Sequence, residues 1–214
     1  INKSEAFSIE IQGADWDPMD DLTAKAWRLL RDYYGIGPVS IRVKKGIPVG
    51  AGLGGGSSDC ALALKMISEL YELNLDTATL EQLAGRLGSD CAFFIRNIPQ
   101  WGSGRGEILT PASIDLSDYE IRLEIPEGSH ISTAEAYRGI HPHMPEVPLR
   151  DALAMPVTQW EGRVINDFEE SVFPAHPEIS ALKQLFYNEG ALYASMTGSG
   201  SAVYGIFETI GPLI

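Results

Sequence analysis

Residues 50–59 read GAGLGGGSSD, five glycines and two serines in ten positions. No other stretch constrains the fold as much, because of what flanks it. Upstream, VSIRVKK (39–45) alternates apolar and polar residues and predicts a strand. Downstream, CALALKMISELYEL (60–73) predicts a helix with apolar residues over most of its surface, and hence a largely buried one. A Gly/Ser linker is solvated and flexible. This stretch instead joins two elements of a packed unit, and Pro48 stiffens its approach. Loops of this kind inside a packed unit are usually functional.

Two familiar phosphate-binding signatures fit poorly. Gly50, Gly52 and Gly55 satisfy G-x-G-x-x-G, but a dinucleotide fingerprint needs a strand directly before the turn and another strand after the helix. Here Gly46-Ile47-Pro48 interrupts the approach, and the helix leads into a second helical segment. The P-loop pattern fails because no G-K-[ST] follows. A third reading is a cradle of another kind. Glycines permit positive φ and close backbone approach, successive N–H groups form a nest, and the next helix adds its positive end. Ser57 and Ser58 stand where a hydroxyl can cap the helix, touch a phosphate or reach a phosphate-bound magnesium.

Charge sharpens that reading. The chain has 214 residues and a formal net charge of −13, from 16 Lys+Arg against 29 Asp+Glu. No basic stripe is interleaved with aromatics, so nucleic acid is not an expected partner. Phosphates would have to be held by local groups that oppose the global field, and Lys44 and Lys45 form such a reserve. With 44% hydrophobic residues the chain can bury a sizeable core. No run approaches the ~18 apolar residues of a membrane span, and no signal peptide is visible. Cys60 and Cys91 follow no metal or redox spacing and are expected to be buried thiols of a cytoplasmic protein.

The remaining elements follow from period and punctuation. AFSIEIQG (6–13) alternates as a strand, and the opening of the chain inside that region leads us to expect a segment before Ile1. Residues 17–36 predict a helix ending at Gly35, and 76–88 another, capped by Asp76 or Thr77 and ended by Gly88. SDCAFFI and a second small glycine loop, GSGRGE (102–107), come next. After a polar stretch at 111–119, YEIRLEIP (119–126) starts a second domain. That domain holds a Pro- and His-bearing loop (139–148), helices near 149–154 and 178–189, and two closing strands joined by TGSGS. Such a mixture is α+β in two layers. The His141-x-His143 pair has no third ligand nearby, so loop histidines are expected there. Neither His130 nor His176 suggests a role.

KKGIPVGAGLGGGSSDCALAL resembles the second motif of the GHMP kinases, whose core runs P-x-x-x-G-L-G-[GS]-S-S. LGSDCAFFI (87–95), GRGEIL (104–109), NDFE (166–169) and MTGSGSAVYGIF (196–207) follow in the order of one branch, the 4-diphosphocytidyl-2-C-methyl-D-erythritol kinases. The resemblance spans about residues 40–207. It implies a two-domain fold. Residues 1–115 would form an ATP-binding domain like domain 2 of ribosomal protein S5, and residues 116–214 a ferredoxin-like domain on the substrate side. It also implies an opening A-K-I-N strand with a catalytic lysine, then a Tyr-His pair for cytidine; both are expected before Ile1.

The site residues follow from the resemblance. Asp90, which by itself reads as a cap or turn residue, would take the proton of the acceptor hydroxyl. Lys45, Pro48, Gly50, Gly52, Leu53, Gly54, Gly55, Gly56, Ser57 and Ser58 would bind ATP, Ser58 with access to its magnesium. Thr133 and Tyr137, four apart on one helix face, would contact the substrate, the tyrosine stacking on cytosine. Thr197, Gly198, Ser199 and Gly200, otherwise a plain hairpin turn, would face the phosphates from the second domain. Valine at Gly54 or Gly55 would abolish ATP binding and leave the fold intact. The implied reaction moves the ATP γ-phosphate, with Mg2+, to the 2-hydroxyl of 4-diphosphocytidyl-2-C-methyl-D-erythritol in the non-mevalonate route to isoprenoids. The expected partners are ATP and this cytidine diphosphate-linked sugar alcohol, with neither nucleic acid nor membrane, for a monomer or homodimer. A mevalonate- or homoserine-type kinase of the superfamily, or a nucleotide-binding protein without catalysis, are the alternatives.

Overall fold

A computed structural model describes residues 1–129, 131–141 and 143–209; His130 lies outside them. The chain divides into two compact units: Ile1–Val49 with Gly54–Ser113, and Gly50–Leu53 with Ile114 onward. The glycine stretch is thus shared, its first four residues belonging to the second unit.

In the first unit, β1 (Asn2–Lys3), β2 (Ser8–Gln12) and β3 (Val39–Lys44) form a sheet in the order β1-β3-β2. β2 and β3 are parallel, with Ile9 opposite Ile41. Helix α1 (Leu22–Tyr34) makes the crossover that parallel strands require. The sequence predicts one helix from residue 17. Instead Asp17 caps a short 3-10 turn at Pro18–Asp20, and Asp21 then caps α1 by accepting from the Thr23 N–H. Gly35 ends α1 at φ 65°, where a side chain would be strained.

Helix α2 (Gly55–Leu70) starts five residues before the predicted position. It buries Cys60, Ala61, Ala63, Leu64 and Ile67, but Leu62 and Met66 are exposed, so one face is covered and the helix is not sheathed all round. Helix α3 (Thr77–Leu87) has Asp76 as its N-cap, and α4 (Phe93–Arg96) follows a 3-10 turn at Ser89–Cys91. Strands β4 (Gln100–Ser103) and β5 (Ile108–Pro111) pair around the GSGRGE loop. The core joins Trp27, Leu30, Ile41, Leu64, Ile67 and Ile95.

In the second unit, β6 (Tyr119–Glu124) starts an antiparallel sheet of order β6-β8-β7. Helices α5 (Thr133–Arg138), α6 (Leu149–Leu153), α7 (Phe168–Val172) and α8 (Pro177–Asn188) precede β7 (Tyr193–Met196) and β8 (Val203–Glu208). Phe186 on α8 meets Phe207 on β8 edge to face, on the side of the sheet that also buries Ile179 and Met196. Trp160 meets Tyr193 in the core that holds Ile206.

Candidate active site

The start of α2 is built by close packing on bare backbone. Gly54 caps it at φ 67°, and a Cβ there would lie 2.6 Å from the Phe94 ring. A Cβ on Gly55 would sit 3.1 Å from the Ile47 Cβ, while at Gly56 it would meet only the Leu22 Cδ1, at 3.9 Å. Valine at Gly54 therefore could not leave the fold intact, contrary to the sequence expectation; Gly56 is the position with room. Ser57 and Ser58 lie inside the first turn and neither caps it, since α2 has no side-chain cap. An uncapped first turn leaves N–H groups pointing out of the helix end with the positive end of its dipole.

Lys45 is not the loose cation expected from the sequence. Its side chain is 6% exposed, and its ammonium lies 2.9 Å from Asp21 and 2.8 Å from Asp59. The Trp16 ring stands 5.6 Å away. Burial alone would push the Lys45 pKa down, but bonds and charges from Asp59 and Asp21 outweigh it and raise the value. Burial likewise works to raise the Asp21 pKa, and bonds from Lys45 and Thr23 bring it below the ordinary value. The cation is spent on tying the N-terminus of α1 and the end of β3 to the first turn of α2. Sequence reading missed both partners.

Asp90 is exposed in the turn between α3 and α4, beside Gly106, where a Cβ would come 3.7 Å from its Oδ1. Among the described residues no donor pairs with its carboxylate. Its neighbour Cys91 is fully buried, as is Cys60 on α2. The hydrogen bond with Cys91, together with burial, pushes the Cys60 thiol pKa up. Ser57 also bonds Cys91, so the Asp90 turn is tied to the start of α2. In the GRGE turn, Glu107 Oε2 accepts from the Arg105 N–H at 2.7 Å.

The other predicted positions lie in the second unit or in exposed loop. Pro48 is exposed and Leu53 half-buried. Gly50 and Gly52 have φ 75° and 73°. A Cβ on Gly52 would fall 2.1 Å from the Thr197 carbonyl oxygen, so only glycine fits. Thr197 Oγ1 donates to the Gly52 carbonyl at 2.5 Å, and the Ala202 N–H to that of Ala51 at 3.0 Å. Gly200 is buried against Ile131 and Met196. Two of the four turn residues expected to face phosphate, Thr197 and Gly200, are thus committed to packing; Gly198 and Ser199 keep an outward side. Thr133 opens α5, and Tyr137 one turn later is 63% exposed, its ring edge-on to Phe168 at 5.0 Å. His176 is not isolated: it lies 3.2 Å from Glu135 and 3.3 Å from Glu178.

Comparison with known proteins agrees with this geometry. Residues 21–97 match the GHMP kinases N terminal domain and residues 154–210 the GHMP kinases C terminal domain. The chain is 48% identical over 207 residues to 4-diphosphocytidyl-2-C-methyl-D-erythritol kinase of Bacteroides thetaiotaomicron, covering 97% of this chain and 74% of that relative. A crystal structure of 4-(cytidine 5'-diphospho)-2C-methyl-D-erythritol kinase superposes with TM-score 0.74 at 29% identity, over 94% of this chain and 73% of that one. Homoserine kinase from Cytophaga hutchinsonii shares the fold, with TM-score 0.69 at 14% identity over 96% and 74% of the two chains. The chain is a small-molecule kinase of the GHMP superfamily, and it belongs to the 4-diphosphocytidyl-2-C-methyl-D-erythritol kinase family.

Proposed function

We propose that this chain transfers the γ-phosphate of ATP to the 2-hydroxyl of 4-diphosphocytidyl-2-C-methyl-D-erythritol, as a cytoplasmic step of isoprenoid precursor synthesis. The uncapped, glycine-built start of α2 carries the reading, because it offers a triphosphate backbone donors and a helix dipole without a competing side chain. The part up to residue 115 takes ATP and the part from residue 116 takes the acceptor, as a monomer or homodimer. Phosphoryl transfer asks for positioning and charge stabilisation more than covalent chemistry. Asp90 accepts the proton of the 2-hydroxyl as that oxygen bonds to the γ-phosphorus, and the bond to the β-phosphate oxygen breaks to release ADP. Tyr137 lends its exposed face to the cytosine ring, and Thr133 contacts the substrate near its phosphates.

Magnesium would come with ATP. Ser57, Ser58 and Asp59 at the start of α2 are all oxygen donors, which is the chemistry that ion prefers. Ser58 is the residue that would reach it; when bound it would offset charge on the phosphates. Lys45 keeps Asp59 neutralised beside them.

The test supplies the full chain with ATP and three acceptors: the cytidylyl compound, mevalonate and homoserine. Phosphorylation of the cytidylyl compound alone is expected. Turnover of mevalonate or homoserine in its place would overturn the acceptor assignment.

A further inference from the structure

The segment Asn166–Ser171 has no part in the chemistry above, yet it holds the pieces around it. Asn166 Nδ2 donates to the carbonyl oxygens of Met196 and Gly198, each at 2.8 Å, while its Oδ1 accepts from the Phe168 N–H at 3.1 Å. All of the amide's groups are thus engaged, and in the only orientation that matches donors to acceptors. Glu169 Oε1 accepts from the Met196 N–H at 2.8 Å and from Ser195 Oγ at 3.1 Å. Its other oxygen pairs with Lys183. The turn so gripped, 196–202, holds Gly52 through the Thr197 hydroxyl. On its other side the segment carries α5: Ser171 Oγ donates to the Ala136 carbonyl at 2.8 Å, and Phe168 meets Tyr137.

We propose that Asn166 is a positioning residue for phosphoryl transfer, fixing the 196–202 turn, and through it the Gly50–Leu53 backbone, in register with the helix that bears Tyr137. This rests on the kinase reading above. A residue that joins two carbonyls of a glycine turn removes freedom that the turn's own glycines would otherwise allow. Displacing a substrate-facing backbone by about 1 Å is enough to lower a rate ~10²-fold.

The test uses Asn166→Ala and Asn166→Asp in the full chain, with kcat and KM for ATP and the cytidylyl acceptor between pH 6 and 8.5. Both variants should lower kcat/KM by about 10- to 100-fold with unchanged circular dichroism. Asn166→Asp keeps the side-chain volume, so it folds even where alanine does not. An aspartate stays ionised across this range, so it loses both donors and repels both carbonyls. Activity of the Asp variant should therefore fall below that of Asn166→Ala, with both ratios to wild type flat in pH. An Asp variant equal to wild type at every pH, or losses that only follow the unfolded fraction, would overturn the inference. Amide exchange at Gly200 and Ala202 reads the clamp without catalysis. It should quicken in Asn166→Ala, and unchanged exchange counts against the proposal even if wild type turns over no acceptor. That last result would sink the kinase reading alone.

Discussion

The start of α2 and the 196–202 turn are both glycine-rich, and they treat their backbone groups in opposite ways. At α2 the glycines are gripped from outside, by the Phe94 ring on Gly54 and Ile47 on Gly55, while no side chain takes the first N–H groups. In the turn, Asn166, Glu169 and Thr197 bind main-chain groups, and Thr197 and Ala202 bond each other. Glycine content is therefore a poor guide to phosphate binding by itself. A binding loop must keep its donors unspent, and a scaffold turn spends them.

The charged groups behind each segment differ in the same sense, and breaking them should give the largest effects. Lys45 bridges Asp21 and Asp59, and the Asp21 side chain is 3% exposed. Lys45→Met strands a buried carboxylate and should cost about 3–5 kcal/mol in urea unfolding. Lys183→Met should cost less, about 1–3 kcal/mol, because Lys183 is 25% exposed and Glu169 keeps two other donors. The pH dependence separates them further. The depressed Asp21 pKa contributes stability that is present above its ordinary value of 3.8 and is lost as pH falls through the folded value. The raised Lys45 pKa contributes stability present below 10.5 and lost as pH rises through its folded value. Without Lys45, Asp21 binds its proton more readily, so the deficit of Lys45→Met should shrink as pH falls toward and through the ordinary value of 3.8. A deficit independent of pH would mean that the cluster is mere packing.

Next in size is the chemistry. Asp90→Asn should lower kcat by at least ~10², with both KM values near wild type. A variant that keeps most of its kcat would return Asp90 to the part of a turn residue.

Smaller effects distinguish the glycines of α2. Gly54→Ala must hold a side chain at φ 67° and push Phe94 aside, so a loss above ~2 kcal/mol is expected. Gly56→Ala has helical backbone and open space, and should stabilise by about 0.4–1 kcal/mol. Equal melting shifts would show that the close packing at Gly54 is not what fixes the start of the helix.

These contrasts also explain what could be read from the sequence. Alternation placed β2 and β3, and helical period with its punctuation placed α3 and α8. The start of α2 was misplaced because Gly55, Gly56, Ser57 and Ser58 are poor helix formers, and the packing that fixes the helix start, Gly54 on Phe94 and Gly55 on Ile47, is not visible in the local sequence. Strands β4 and β5 escaped notice because QWGS and ILTP carry glycine and proline in place of a clear period. Asp90 was singled out through a family motif, and Tyr137 through the family pattern together with its spacing from Thr133. The Lys45 pairing was hidden for a different reason: nothing local says that Asp21 and Asp59 converge on it. Asn166 stood in a motif whose role needed the carbonyls of Met196 and Gly198 to be located first.

In the proposed reaction the two units divide the labour, the start of α2 holding the triphosphate and Tyr137 reading the cytidine end of the acceptor. The most direct measurement is the pair of affinities, for ATP and for the cytidylyl acceptor, in Gly56→Val and Tyr137→Ala. Gly56→Val should weaken ATP and spare the acceptor. Tyr137→Ala should weaken the acceptor by about 1–3 kcal/mol and spare ATP, with Tyr137→Phe near wild type because the ring face carries the contact. If each variant weakened both ligands alike, or if Gly56→Val left ATP affinity unchanged in a folded protein, the account would be contradicted.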